Sequence, residues 1–567
     1  MPLLAILVSL LLFSCSGRDG AVINKLTSFS ITITNSNVTN KAATGEIIET
    51  STGGSVYATL PGGTDPVIAV DFTTDGGTTK VSGSTVTSPI NINLGTVTEI
   101  IVVDALGNQR IYTLDIRDSG LPSVFITTDA TPPESFPGDK VAISGKCKIV
   151  GSTYASADAY AKIDLAETAI TVQGRGNSTL LLPKKPYRIN FPSKTSVLGL
   201  PTAKKWVLLA NYADKSLMRN YVAFKTAEIM ENMTWTPKTL PVDLYLNGAY
   251  QGSYSMGDQL EVGTTRLALD TTSAVPQAAD TGYLLEVNMR LLDENTNATV
   301  PISPYPEDVY YFTTLGITGN GVGGDPPDGF YLDIKSPKVP VTTPEAAGLM
   351  TTGQMSFIKT WVRNTETALF TGVADGKPYT DYIDVPSFID WLIIEELFKN
   401  TDSNFYSSVY MHKNTGGLLK MGPVWDFDLS AGNVDNDFAG YSDFLQRETS
   451  GWFTSFTPWY DTGLLLRTGI KAAIKARWIA KKADIEAKVF AEIDIAAARI
   501  ARSQKMNFAK WTITDLVEDN GWGEWFVTPD AIKAATTFEA QVALYKSWMT
   551  ARIAWMDTTI NDSSWLE

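Results

Sequence analysis

The period of the hydrophobic pattern changes along this chain, and that change limits its architecture more than any other feature. From Lys25 to Arg117 apolar and polar residues alternate in segments such as SFSITIT (28–34), VIAVDF (67–72) and ININL (90–94). EIIVVD and IYTLDI flank Leu106-Gly107-Asn108, a hairpin turn signal. No stretch of helical period interrupts them, so residues 25–118 read as an all-β, immunoglobulin-like sandwich, either a binding module or a plain spacer. A linker at 118–122 leads to a second region. Residues 123–340 supply strands such as SVFITT, YRINF, KWVLLAN, VDLYLNG, GYLLEVN and FYLDIKS. They also supply one helix, LMRNYVAFKTAEIMENM, for which Asp214 or Ser216 can serve as N-cap. From 343 to 560 the period turns helical, in PEAAGLMTTGQMSFIKTWVRNTETALF, PSFIDWLIIEELFKN and amphipathic runs over 462–502 and 529–560. The 567 residues exceed what one core usually holds. The expected fold is therefore multidomain, with the sandwich followed by an α+β domain over 123–560.

The amino terminus reads as an address. Residues 1–14, MPLLAILVSLLLFS, form an apolar run too short to span a bilayer, which needs about 20 residues. They resemble a signal-peptide core. Leu12-Phe13-Ser14-Cys15 resembles a bacterial lipobox, which would make Cys15 the acylated first residue and 15–24 a tether. A cleaved signal without a lipid is the alternative. The expectation is an exported protein, attached to a membrane through an N-terminal lipid, in the periplasm or on the cell surface. Cys147 is then left without an intrachain partner and reads as a small buried residue.

Two scarcities restrict the chemistry. His412 is the single histidine, and Cys15 and Cys147 are the two cysteines. A multi-histidine zinc centre is excluded, and a Ser-His-Asp hydrolase would have to use His412. A net charge of −15 argues against a nucleic-acid partner. Carboxylates, amides, lysines and arginines remain, a palette suited to phosphate chemistry with a hard metal such as Mg²⁺ or Mn²⁺. Gly319-Asn320-Gly321-Val322-Gly323-Gly324 fits GxGxxG, but Asp325-Pro326-Pro327 follows, so no helix opens there to bind a pyrophosphate. No GxxxxGK[ST] occurs.

The informative region is FKNTDSNFYSSVYMHKNTGGLLKMGPVWDFDLSAG (398–432). FYSSVYMH reads as a strand, Gly416-Gly417 as a hairpin turn and LLKMGPVWDFD as the return strand. The hairpin brings Asp402 and Asn404 close to Asp426 and Asp428, and residues two apart on a strand share a face. Three carboxylates and an amide would converge, with Trp425 and Phe427 turned into apolar surroundings. Such a set can hold a hard cation and accept a proton from a hydroxyl, as phosphoryl transfer requires; acidic turns beside strands also arise as simple caps. Lys184, Lys185 and Arg188 stand at the entrance of the YRINF strand, with Lys185 the candidate for a phosphate. Arg219 and Asn220 sit in the first turn of the helix after Lys215, where anions are favoured.

Taken in order, RGNSTLLLPKKPYRINF, WVLLANYADKSLMRNYVAFKTAEIM, PVDLYLNGAYQGSYSMGDQLEVGTTRL, GYLLEVN, YLDIKSP and NTDSNFYSSVYMHKNTGGLLKMGPVWDFDLSAGN resemble the spore-coat protein H (CotH) kinase family. The resemblance covers about 123–560. It implies an atypical protein-kinase-like fold that uses ATP and Mg²⁺ to phosphorylate hydroxyls, Ser or Thr, on exported proteins. It matches Asp402 to the catalytic aspartate, Asp426 to the metal-binding aspartate with Asp428 and Asn404 in support, and Lys185 to the phosphate lysine. Arg219 and Glu286 fall at recurrent motif positions. Asp258 stands where the family often has Glu. A kinase-like lipoprotein acting as an adhesin or scaffold, and transfer of AMP or glutamate in place of phosphate, are the alternatives.

Overall fold

The computed structural model describes residues 24–129, 140–154, 157–271, 278–288, 311–313, 330–337, 350–436, 446–457, 459–520 and 526–566. Segment 1–14, Cys15 and the glycine-rich run 319–324 lie outside them. The chain divides into two compact units, Met1–Asp118 and Ser119–Glu567.

In the first unit, alternation becomes two sheets, one of four strands and one of six. Leu26–Thr32 buries Leu26, Phe29 and Ile31, and Val67–Thr74 buries Ile68, Val70 and Phe72. The turn predicted at 106–108 forms, with Asp104 Oδ1 accepting from the amides of Leu106 and Asn108. Gln109–Asp118 runs antiparallel to Glu99–Val103 but parallel to Gly53–Leu60. Tyr112 links the two sheets: its hydroxyl accepts from Leu26 N at 3.1 Å and donates to Glu49 at 2.8 Å.

The second unit begins with seven strands: β1 (Ser123–Thr128), β2 (Ile143–Val150), β3 (Leu165–Gly174), β4 (Tyr187–Thr195), β5 (Ala203–Leu209), β6 (Thr239–Leu246) and β7 (Ala249–Asp258). They close into a barrel in the order β1-β2-β3-β4-β5-β7-β6, sealed by parallel pairing of β1 with β6. Closure removes the exposed edges that strands of this apolar content would otherwise present. The interior holds Val124, Ile149, Val172, Ile189, Trp206 and Leu244, among others. Each such side chain contributes roughly 1.5–3 kcal/mol on burial. Cys147 lies fully inside, and burial pushes its thiol pKa up to about 12, so it is an inert core residue. At the end of β7, Asp258 pairs with buried Arg266 at 3.1 Å, and that guanidinium covers the Trp206 ring. The shorter acid therefore still makes an ion pair.

A five-stranded sheet follows, ordered β9-β10-β8-β11-β12, from β8 (Tyr283–Asn288), β9 (Tyr311–Thr313), β10 (Tyr331–Ser336), β11 (Ser407–Lys413) and β12 (Leu419–Met421). The helices are α1 (Arg219–Ala227), α2 (Thr352–Thr371), α3 (Val385–Phe398), α4 (Ile470–Ile500), α5 (Ser503–Lys510), α6 (Asp530–Ala534) and α7 (Phe538–Asn561). Helix α3 is buried on nearly every side, as its almost continuous apolar text requires. Asp384 starts it by accepting from Ser387 N, and Lys399 ends it in the left-handed conformation. The helix predicted over 529–560 is in fact two, because Thr537 caps a new start by accepting from Ala540 N.

Candidate active site

The hairpin predicted around Gly416-Gly417 forms, with Met411 opposite Met421 and Lys413 opposite Leu419. Before it, Thr401–Asn404 makes a 3-10 turn. The return strand stops at Met421, so Asp426 and Asp428 do not share a strand face as alternation predicts. Asp426 instead adopts a left-handed backbone, φ 67°, within a loop. Four side chains pin that loop. Asn220 accepts from Phe427 N at 2.7 Å, Asn400 donates to Trp425 O, Thr401 to Leu429 O and Asn433 to Asp428 O. Trp425 and Phe427 turn away into apolar packing with Phe224 and Phe398, as expected. Asp426 thus keeps a conformation that side chains rarely adopt, because its surroundings over-determine it.

Around this loop the acids sense one another. Asp402 accepts from Ser407 Oγ at 2.9 Å, and Asp426 Oδ2 accepts from Ser408 Oγ at 3.1 Å. Asp428 is buried, and desolvation raises its pKa, helped by the negative charges of Asp426, Asp214 and, more weakly, Asp402. Among the described residues no three acidic, histidine or cysteine side chains form a metal cage. Mg²⁺ does not require one: it is commonly held by one or two carboxylates plus waters and phosphate oxygens. Asp426 and Asp428 fit that smaller set. Asn404, in the turn that carries Asp402, offers an Oδ1 that is buried with no hydrogen-bond partner among the described residues. Five residues after Asp402, where protein kinases carry a metal-binding asparagine, stands Ser407.

Next to the loop, the sheet carries a polar row. Glu286 on β8 lies in register with Asp333 on β10 and Tyr410 on β11. Tyr410 donates to Glu286 at 2.8 Å, and Lys335 pairs with the other Glu286 oxygen at 2.6 Å. The Tyr410 phenol pKa is raised, first by burial and then by Glu286 and Asp426, which ties the row to the acidic loop. Arg175, just beyond β3, lies 5.5 Å over the Trp425 ring. Lys335 and Arg175 were not singled out from sequence. Alternation in YLDIKS puts Asp333 and Lys335 on one face of their strand, but that this is the face of Glu286 depends on the register with β8, which shifts at Lys335.

Three of the four cations chosen from sequence, Lys184, Lys185 and Arg219, have other commitments. Lys184 is buried, donating to Ser253 O and Asn507 Oδ1 and lying over the Tyr254 ring. Burial holds its pKa well below the usual lysine range. Lys185 donates to Leu180 O at 3.0 Å. Arg188, on β4, has a buried Nε with no hydrogen-bond partner among the described residues, and its pKa is lowered by burial and by Arg175. Arg219 forms a fully buried pair with Asp214 and covers the Tyr545 ring. Helix α1 begins at Arg219 with Met218 as its N-cap residue, later than the sequence suggests, so neither Asp214 nor Ser216 is the N-cap; Asp214 instead lies upstream and accepts from the amides of Met218 and Arg219 at 2.8 Å each. That carboxylate already fills the anion position at this helix start. Of the predicted set, the structure brings Asp402, Asp426, Asp428 and Glu286 into one neighbourhood and engages Lys184, Lys185 and Arg219 in contacts within the fold.

His412 has no part in this chemistry. It is buried on β11, its Nδ1–H donating to Gly422 O at 2.9 Å and its Nε2 accepting from Thr234 Oγ1 at 2.8 Å.

No curated protein matches the chain. A family model does: the one described as CotH kinase protein aligns with residues 172–313 and 344–556, more than half the chain, and embraces the barrel strands β4–β7, the hairpin and both acidic turns. By that match the chain belongs to the CotH kinase family.

Proposed function

We propose that this protein is an ATP-dependent protein kinase of the exported compartment, transferring the γ-phosphate of ATP to a Ser or Thr hydroxyl of a surface or exported protein. The observation that carries the reading is the pair of hydroxyl-tethered carboxylates, Asp402 and Asp426, at the two ends of one hairpin. Membership of a kinase family supports it. Asp402 is the proton acceptor for the incoming hydroxyl. Asp426, with Asp428 and Asn404, is the cation-binding side. Bound Mg²⁺ would supply charge neutralisation for the phosphates. Glu286 holds Lys335 on the adjoining face, which suits that lysine to the nucleotide phosphates, and Arg175 is placed to add a second positive charge. The raised pKa of Asp428 fits a carboxylate awaiting a cation, since a divalent ion would favour its charged form. Lipidation at Cys15 and attachment to a membrane belong to the same proposal and rest on the amino-terminal sequence; the first unit serves there as a spacer.

The test is mass spectrometry of a protein acceptor incubated with the chain, ATP and Mg²⁺. Addition of phosphate, absent with Asp426→Ala, is the expected outcome. Addition of AMP or of glutamate would overturn the assignment of the transferred group while keeping the site.

A further inference from the structure

Ser407 and Ser408 are neighbours on β11, where successive side chains should point to opposite faces. They nevertheless engage two different acids of one site, Asp402 and Asp426. The pairing with β8 explains how. Val287 faces Val409 and Asn288 faces Ser407, so Ser408 is an extra residue with no partner opposite, a β-bulge. Its φ is 57°, the left-handed region that favours glycine. Bulges beside functional sites re-aim side chains, and this one turns the Ser408 hydroxyl onto Asp426 Oδ2. The other oxygen of Asp426, Oδ1, makes no hydrogen bond among the described residues. Ser408 is nearly buried and Ser407 fully so, and neither is placed to act as a substrate.

We infer that the bulge at Ser408 is a positioning device for the site. The Ser408 hydroxyl fixes Asp426 by one oxygen so that the other faces a divalent cation, while Ser407 fixes Asp402 for the acceptor hydroxyl. This rests on the kinase reading above and goes further by assigning each serine a separate duty. A serine kept where the backbone favours glycine points to a use for the hydroxyl and not for the bend alone.

The experiment separates hydroxyl from backbone. Binding of Mn²⁺ together with a non-hydrolysable ATP analogue is measured by calorimetry for the full chain, and thermal melting is recorded in parallel. Ser408→Gly keeps the left-handed backbone and loses the hydroxyl. It should melt no lower than the parent yet bind Mn²⁺ about tenfold more weakly, the size usual for the loss of a group that orients a metal ligand. Ser408→Ala should lose the same affinity and melt lower. Ser407→Ala should leave Mn²⁺ binding within about twofold and reduce kcat, with Ser407→Thr restoring it. Parental Mn²⁺ affinity in Ser408→Gly, while Asp426→Ala binds none, would overturn the inference and leave the kinase reading intact. No Mn²⁺-dependent binding in the parent chain would overturn both.

Discussion

The barrel and the hairpin-bearing sheet are both made of short strands with β-branched and aromatic residues, and they meet different demands. The barrel strands enclose an apolar interior in which even a cysteine is inert. The sheet instead carries Glu286, Asp333 and Tyr410 in one cross-strand row, and from Lys399 to Ala431 five non-glycine residues have positive φ. The barrel positions its interior residues by alternation, and register shifts between β2 and β3, β4 and β5, and β6 and β7 still leave that interior apolar. The hairpin positions its residues by breaking alternation, at the Ser408 bulge and at Asp426, and pins the result with Asn220, Asn400, Thr401 and Asn433. Regular packing supplies stability, and the irregular loop spends some of it on buried like charges.

Substitutions should separate the two regions. The largest effect is expected at the hairpin. Asp402→Asn should lower kcat by about 10²–10⁴-fold, the usual worth of a positioned acid or base, with melting unchanged. The barrel should behave in the opposite way. Trp206→Ala should cost about 3–5 kcal/mol by denaturant titration, with the kcat of the folded fraction preserved. A Trp206 variant that loses kcat while folded would erase the distinction.

Two smaller effects follow from titration. Folding raises the pKa of Asp428, so its contribution to stability is full below the unfolded value near 4 and is lost as pH rises. Asp428→Asn should therefore stabilise the metal-free protein at pH 8 by more than about 1.4 kcal/mol, the equivalent of a one-unit shift. The gain should shrink toward pH 4. His412 works in the other direction, since burial lowers its pKa to about 4. Its contribution is present above the unfolded value of about 6.5 and is lost as pH falls toward the folded one. Denaturation midpoints should show a loss of about 1 kcal/mol between pH 7 and pH 5.5, reduced in His412→Asn.

How much of this was legible in the sequence differs by region for the same physical reason. Alternation is a local property, so the β-rich stretch up to Ser336 and the helical one after it could be read from period alone. The hairpin was legible because Gly416-Gly417 sits between two strand-like runs, and it brought Asp402 and Asp426 to one end. The left-handed turns at Ser408 and Asp426 were not, because neither residue is glycine and the bends depend on distant partners such as Asn220. Register hid Lys335: its pairing with Glu286 depends on how two strands align across an intervening segment. The Lys184-Lys185 pair misled because sequence cannot say which of two adjacent lysines is buried, and here Lys184 is enclosed with Asn507 of a remote helix. Arg219 misled likewise, since Asp214 five residues earlier takes its charge.

The proposed function requires Asp426 and its neighbours to form a cation-dependent nucleotide site. Calorimetric titration with ATP in the presence and absence of Mg²⁺ tests it most directly. ATP binding should require Mg²⁺ in the parent chain and disappear in Asp426→Ala, with both proteins equally folded by circular dichroism. Equal ATP binding with and without Mg²⁺, or binding untouched by Asp426→Ala, would contradict it.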